Sequence, residues 1–413
     1  MVNFLKGLPS TDLLSTERVG RATKLALDLP NAASTLLQYN DFIGDRGFLN
    51  NLATFLSKAH NDKVEAKNLC ASSGASHMLE HILAMLTRPE SVTKYALFQN
   101  PTYHLSFRIF EETGFTKDQF VGIPEDNQYG LDVDYLEAFL KDKFGSGQDN
   151  GKDDYYDAVL YCVPTHANPS STILPEEQRE KLVKLARQYN VLVICDDVYD
   201  LLTYQGTMPK RVVAYDLESN DGSSKPVIIS NGSFSKILAP GMRVGWIEAH
   251  EALIKRIGLS GSYESGSSPS NFSSIIVSQM LCTEDPEISL ESNIENLKKI
   301  LYDRLIEGVW KPFQELLEPL GCSSTLPAGG YFLWVRLPPG VPCELLKQVI
   351  ATHKIDMVLG YGNLFSTPRR EPNTDEFSDH LRLCFAHYTT KELQEGMKSL
   401  ENVIRLALEQ KTL

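Results

Sequence analysis

Lys236 stands in the run Ser233-Phe234-Ser235-Lys236 and is followed, after three residues, by Pro240-Gly241-Met242-Arg243-Val244-Gly245. A lysine amine can bond covalently to an aldehyde, and Ser233, Ser235 and Arg243 offer donors suited to a phosphate dianion. Together they suit pyridoxal phosphate held on Lys236. Ser-x-Ser-Lys alone fits a surface lysine in a serine-rich loop equally well; the Pro-Gly-x-Arg-x-Gly extension favours the site.

Further candidates lie where strands end. Cys195-Asp196-Asp197-Val198-Tyr199 closes the apolar run Val191 to Cys195, and ligands of open α/β sheets gather at strand carboxyl ends. A carboxylate there can hold a pyridine nitrogen cationic, and a tyrosine three residues on can reach the ring oxygen, an offset that favours Asp196 over Asp197. An acidic pair capping the next helix is the competing reading. Ser72-Ser73-Gly74-Ala75-Ser76 precedes a helical pattern with Leu79, Ile82, Leu83 and Leu86 on one face, so its free N–H groups and dipole suit an anion. Tyr103, after the strand-like Lys94 to Phe98, can stack on a flat ring, and Asn168 in Pro164-Thr165-His166-Ala167-Asn168-Pro169 can share the ring oxygen. His166 reads as structural. Arg382 sits in the apolar strand pattern His380 to Phe385; a substrate carboxylate would satisfy it, as would an internal salt bridge.

These residues need a scaffold. The 413 residues are 42% hydrophobic and 23% charged, an ordinary globular composition. A net charge of −13 argues against general nucleic-acid or acidic-membrane binding. Seven cysteines without CxxC spacing read as reduced thiols, with neither a disulfide framework nor a metal site. No apolar run approaches the ~18 residues of a membrane span, and no signal peptide is evident, so a cytoplasmic location is expected. Strand patterns at Ala158 to Val163, Val191 to Cys195 and from Val227 alternate with helical ones such as Pro175 to Tyr189, as in a parallel sheet covered on both faces. Gly145 to Asp154 reads as a surface loop. Beyond about residue 285 come a helical stretch (Ile294 to Phe313), a strand (Tyr331 to Leu337), a helix from Glu344 and a closing strand (Leu381 to Phe385), the pattern of a smaller α+β unit.

The order of these elements resembles a known family. Ser-Gly-Ala-Ser, Asn-Pro-Thr-Tyr, Asn168-Pro169, Asp-Asp-Val-Tyr, the Lys236 motif with Arg243, Pro327 to Trp334 and Leu-Arg-Leu-Cys-Phe together resemble fold-type I aminotransferases of class I/II, over essentially the whole chain. The nearest likeness is to the kynurenine/2-aminoadipate aminotransferase branch. The resemblance implies an α/β fold, with a mostly parallel seven-stranded sheet flanked by helices plus a smaller α+β domain. It implies an N-terminal arm over 1–35 joining the small domain, a large cofactor domain over 36–285 and a small C-terminal domain over 286–413. It gives Lys236 the roles of Schiff-base residue and proton shuttle. Asp196 would bind the pyridine nitrogen, Asn168 and Tyr199 the ring oxygen, and Tyr103 would stack on the ring. Ala75, Ser76, Ser233, Ser235 and Arg243 would hold the phosphate, and Tyr39 would reach the phosphate of a neighbouring subunit, implying a homodimer. Arg382, with Asn168 and the backbone near Gly7, would hold the substrate carboxylate. Ser170-Ser171 departs from the family's Thr-Gly or Ser-Gly, Gly-Ala-Ser-His from Gly-Ser-Gln-Gln, and Leu-Leu-Ser from Leu-Leu-Pro near Ser15.

The implied reaction moves an amino group from an L-amino acid (aromatic, kynurenine or 2-aminoadipate) to a 2-oxo acid such as 2-oxoglutarate by a ping-pong cycle, within amino-acid metabolism or biosynthesis. Arg18 or Arg21 would read a distal carboxylate or lie on a solvated helix face. Rivals are a β-elimination (cysteine–sulfur) lyase on the same residues and a non-catalytic or regulatory aminotransferase-like protein. The regulator needs a DNA-binding extension, which is not expected because the chain starts at the family's first motif.

Overall fold

The computed structural model describes residues 2–126, 129–147, 154–220, 222, 224–368 and 376–412. Its central sheet runs in the order Leu69–Ser72, Gly245–Ala249, Ile228–Ser233, Val191–Asp196, Ala158–Cys162, Tyr95–Asn100, Phe120–Asp126, Gly130–Leu131. The five strands from Ile228–Ser233 to Phe120–Asp126 are mutually parallel, while Gly245–Ala249 runs against both neighbours. Among the described residues this sheet has eight strands rather than the expected seven, because the two-residue Gly130–Leu131 pairs antiparallel at the edge.

The central strands are apolar runs because helices bury both faces of the sheet. Val191 to Cys195 are all buried, and so is the whole of Ala158–Cys162. The helix Ala75–Leu86 buries Met78, Leu79, Ile82, Leu83 and Leu86, the stripe its spacing requires, and each such side chain contributes about 1.5–3 kcal/mol of burial. The helix Glu176–Gln188 likewise buries Leu182, Val183, Leu185 and Ala186. Of the polar stretch 145–154, residues 148–153 lie outside the described residues.

A second core gathers Phe4, Leu305, Val309, Leu333, Val335, Leu381, Leu383 and Met397 among others. It surrounds the antiparallel strands Phe332–Arg336, His380–Cys384 and Gly360–Tyr361, with His380–Cys384 in the middle. The N-terminal strand Val2–Asn3 pairs with Met357–Val358, and Phe4 bonds the backbone of both Val358 and Cys384. This carries Leu5, Lys6, Gly7 and Leu8 to the lining of a cavity. The expected long helix begins as Leu290–Asp303 and continues in wider π-helical turns, Arg304–Trp310 and Phe313–Leu317. From these turns, Arg304 reaches Ser10 Oγ (2.8 Å), Asp12 Oδ2 (2.7 Å) and the Ala386 carbonyl (2.9 Å). Among the described residues no helix is long and apolar enough to cross a membrane. All seven cysteines are free, and among the described residues no cluster of metal-ligating side chains occurs.

Candidate active site

Parallel strands deliver their carboxyl ends to one edge, and here that edge collects the chemistry. Asp196 ends Val191–Asp196, Ser233 ends Ile228–Ser233, Tyr103 lies just beyond Tyr95–Asn100, and Asn168 just beyond Ala158–Cys162. A cavity of about 460 Å³ is lined by Gly7, Ala75, Ser76, Tyr103, Asn168, Asp196, Tyr199, Ser233, Ser235, Lys236, Arg243 and Arg382. Every expected site residue except Tyr39 is therefore brought to one place. Tyr39 lies outside the cavity, 74% exposed on the surface.

Lys236 Nζ donates to the Gly7 carbonyl at 2.8 Å, and the Tyr331 hydroxyl donates to the Lys236 carbonyl at 2.8 Å. Burial lowers the lysine's pKa to about 8; nearby Cys384 and Asp196 oppose the shift and Arg382 adds to it. An amine so placed is a ready nucleophile near neutral pH.

Asp196 accepts from the Tyr161 hydroxyl through Oδ2, while its buried Oδ1 has no partner among the described residues. Burial raises its pKa to about 6, against the Tyr161 bond and the Lys236 charge, while Asp197 raises it further. Asp197 instead accepts from Ser230 Oγ at 2.5 Å and does not line the cavity, whereas Asp196 does. Tyr161 was not anticipated; its only signal was a hydroxyl-bearing ring inside an otherwise apolar strand.

At the other end, the helix Ala75–Leu86 points its N-terminus inward from Gly74, whose φ is +101°. A side chain at Gly74 would put Cβ 2.7 Å from the Arg243 guanidinium, so glycine permits the close approach. Arg243 donates to the Ser73 carbonyl at 2.7 Å, and the Ser233 and Ser235 hydroxyls are 3.0 Å apart. Free backbone N–H groups, hydroxyls and a guanidinium together form an anion cup.

Arg382 is 2% exposed, and its guanidinium lies 4.2 Å from the Phe332 ring centre and 4.6 Å from that of Phe365. It donates to Asn168 Oδ1 (2.8 Å) and to the Leu5 carbonyl (2.6 Å), not to Gly7. No carboxylate pairs with it among the described residues, and its Nε is buried without a partner, so the internal salt bridge is absent. A buried, unneutralised cation facing a cavity is an anion receptor. His104, also unanticipated, lines the cavity, and burial together with the Arg382 charge lowers its pKa to about 4. His166 is away from the cavity, with Nε2 2.8 Å from Thr203 Oγ1. Arg18 donates to the carbonyls of Pro286 (3.0 Å) and Ser289 (2.6 Å), and Arg21 pairs with Glu17 and Glu287; neither lines the cavity.

The family model for aminotransferase class I and II matches residues 2–400. The chain belongs to the class I and II aminotransferases. This aminotransferase is 27% identical to aromatic-amino-acid aminotransferase 1 of Thermococcus litoralis, over 98% of the chain and 88% of that protein. It is 24% identical to the 2-aminoadipate transaminase of Thermus thermophilus, over 98% and 90%. Among solved structures it matches the Pyrococcus horikoshii kynurenine aminotransferase, in complex with PMP, KYN as substrate and KYA as product, with a TM-score of 0.81 at 26% identity, covering 99% of this chain and 91% of that one.

Proposed function

We propose that this aminotransferase transfers the amino group of an L-amino acid to a 2-oxo acid in a ping-pong exchange, with pyridoxal phosphate as cofactor and Lys236 as its attachment point. The observation that carries the reading is one cavity holding a buried amine, an anion cup and, among the described residues, an aspartate with an unpartnered oxygen and an arginine without a counterion. The family match and the PMP-bound Pyrococcus relative indicate the cofactor. The residues present fit it: Asp196 Oδ1 lacks a donor among the described residues, and the cup at Gly74 and Arg243 offers donors for a phosphate.

When bound, the cofactor supplies an electron sink for the substrate α-carbon. Asp196 would accept from its ring nitrogen and keep that nitrogen cationic. Tyr103 would cover the ring, and Asn168 and Tyr199 would face its oxygen. Ala75, Ser76, Ser233, Ser235 and Arg243 would hold the phosphate. Arg382 would dock the substrate carboxylate, with Asn168 steadying the guanidinium and with Leu5 and Gly7 contributing backbone carbonyls beside the two cations. Lys236, freed by the incoming amino group, would carry the proton between the α-carbon and the cofactor.

The donors we propose are aromatic amino acids, kynurenine or 2-aminoadipate, with 2-oxoglutarate as acceptor. The homodimer we propose would cover the exposed Leu37, Tyr39, Phe42 and Leu259, apolar side chains that burial against a second copy would shield. That surface adjoins the anion cup through Asn271, which bonds the Thr35 carbonyl (2.9 Å), and Ser270, which bonds the Arg243 carbonyl (2.5 Å).

A donor screen with 2-oxoglutarate, following glutamate formation, tests the function. Turnover with at least one of these donors and its loss in Lys236→Ala are expected; equal turnover by the variant contradicts it. Continuous ammonia release from an amino acid without any oxo acid would instead establish the lyase.

A further inference from the structure

The loop carrying Asn168 is held at its base and at its tip by different means. At the base, Leu174 N bonds the Pro164 carbonyl (2.9 Å), and Thr165 bridges to Ile173. The fully buried Arg179 donates to the Leu174 carbonyl (2.7 Å), the Pro164 carbonyl (2.7 Å) and Thr165 Oγ1 (2.9 Å). At the tip, the two serines that depart from the family's pattern both make side-chain bonds. Ser171, at φ +62°, donates its hydroxyl to the Phe332 carbonyl at 2.7 Å, and Ser170 Oγ donates to Glu125 Oε1 at 2.7 Å.

Glu125 Oε1 is a convergence point. Thr172 Oγ1 (3.2 Å) and Gln99 Nε2 (2.5 Å) donate to it as well, and Gln99 Oε1 accepts from the backbone N–H of Val163, a residue lining the active cavity. The hairpin strand gives way for this contact: a Cβ on Gly130, at φ +83°, would come within 3.0 Å of Thr172 Oγ1. Burial raises the Glu125 pKa to about 7, opposed by the Gln99, Ser170 and Thr172 bonds. Oε1 is the acceptor in all three side-chain bonds, a role that a glutamine carbonyl oxygen reproduces. Between these two anchors Asn168 projects inward and places Oδ1 2.8 Å from Arg382.

We propose that Glu125 is a positioning residue: by tying down Ser170 and Thr172 it fixes the tip of the Asn168 loop and thereby the Asn168–Arg382 pair that receives the substrate carboxylate. This rests on the function proposed above. Glu125 does not line the active cavity; a separate groove reaches it.

The test compares Glu125→Ala, Glu125→Gln and Ser170→Ala in the cofactor-loaded protein with an active donor. Glu125→Ala is expected to raise the donor KM about tenfold, the worth of one well-placed hydrogen bond, with kcat changed less than about twofold. The pH midpoint of the visible cofactor band should move upward, because Asn168 then donates less well to the ring oxygen; a merely less stable fold would leave that midpoint unmoved. Glu125→Gln should restore KM and midpoint, and Ser170→Ala should raise KM about threefold, a partial loss of the same anchor. If Glu125→Ala fails to fold, Ser170→Ala with an unchanged KM and midpoint overturns the proposal. Wild-type values in Glu125→Ala, or no rescue by glutamine, overturn it as well while leaving the aminotransferase reading intact. A wild-type protein without transamination overturns both.

Discussion

Replacing Arg382 by glutamine keeps a planar donor, on a shorter side chain, but removes the charge. Arg382 is 2% exposed; its guanidinium is hydrogen-bonded to one amide oxygen and one carbonyl and faces two aromatic rings, with no carboxylate partner among the described residues. No described residue neutralises its charge, and an anion entering the cavity would. Truncating one partner of a desolvated, hydrogen-bonded charge pair costs about 2–5 kcal/mol, so kcat/KM for an amino acid should fall about 30- to 5000-fold. The decisive control is the amine with the same side chain but no carboxylate. Its turnover, slow in wild type, should change less than about threefold, since the lost interaction was never made with it. Initial rates for both substrates in both proteins, with thermal melts to confirm folding, give the comparison. An equal loss for amine and amino acid would refute the reasoning, as would no loss for either.

Gly74→Ala places a Cβ against the Arg243 guanidinium at a backbone angle that costs a non-glycine residue about 1–3 kcal/mol, so cofactor affinity measured by fluorescence should weaken at least tenfold while the fold is retained. Tyr161→Phe removes the hydroxyl bond that lowers the Asp196 pKa, so that pKa rises above about 6. Cofactor binding that needs the carboxylate is lost as pH falls through this value; the variant should therefore lose affinity at a higher pH than wild type in a titration. Lys236 titrates near 8 in the folded protein against an ordinary 10.5, so between these values the unfolded chain holds more protons. The stability of the cofactor-free protein should thus rise with pH from about 8 to 10.5 relative to Lys236→Met, as followed by thermal melts.

The strands and helices around the cavity were legible because burial on both faces writes them as uninterrupted apolar runs, as in Val191 to Cys195. The candidate residues that line the cavity were legible for a related reason. They cluster just past strand ends, where sequence order maps directly onto one edge of the sheet, as at Asp196 and Ser233. Partners that meet through space left no such trace. Tyr161 reads as one more core aromatic until the register sets its strand beside Val191–Asp196. The Leu5 and Gly7 carbonyls act through backbone alone, and no side chain advertises them. Glu125 lies 45 residues from Ser170, and only the folded sheet brings them together. The π-helical turns after Asp303 keep an amphipathic spacing close to that of an ordinary helix, so periodicity alone did not separate them.

The central claim is that Lys236 is the cofactor's covalent anchor. Loading the protein with pyridoxal phosphate, reducing it with borohydride and mapping the peptides by mass spectrometry tests this directly. A pyridoxyl-phosphate adduct on Lys236, at one equivalent per chain and abolished by prior reaction with an amino donor, is the predicted result. An adduct spread over surface lysines, or fixed on a different lysine, would contradict it.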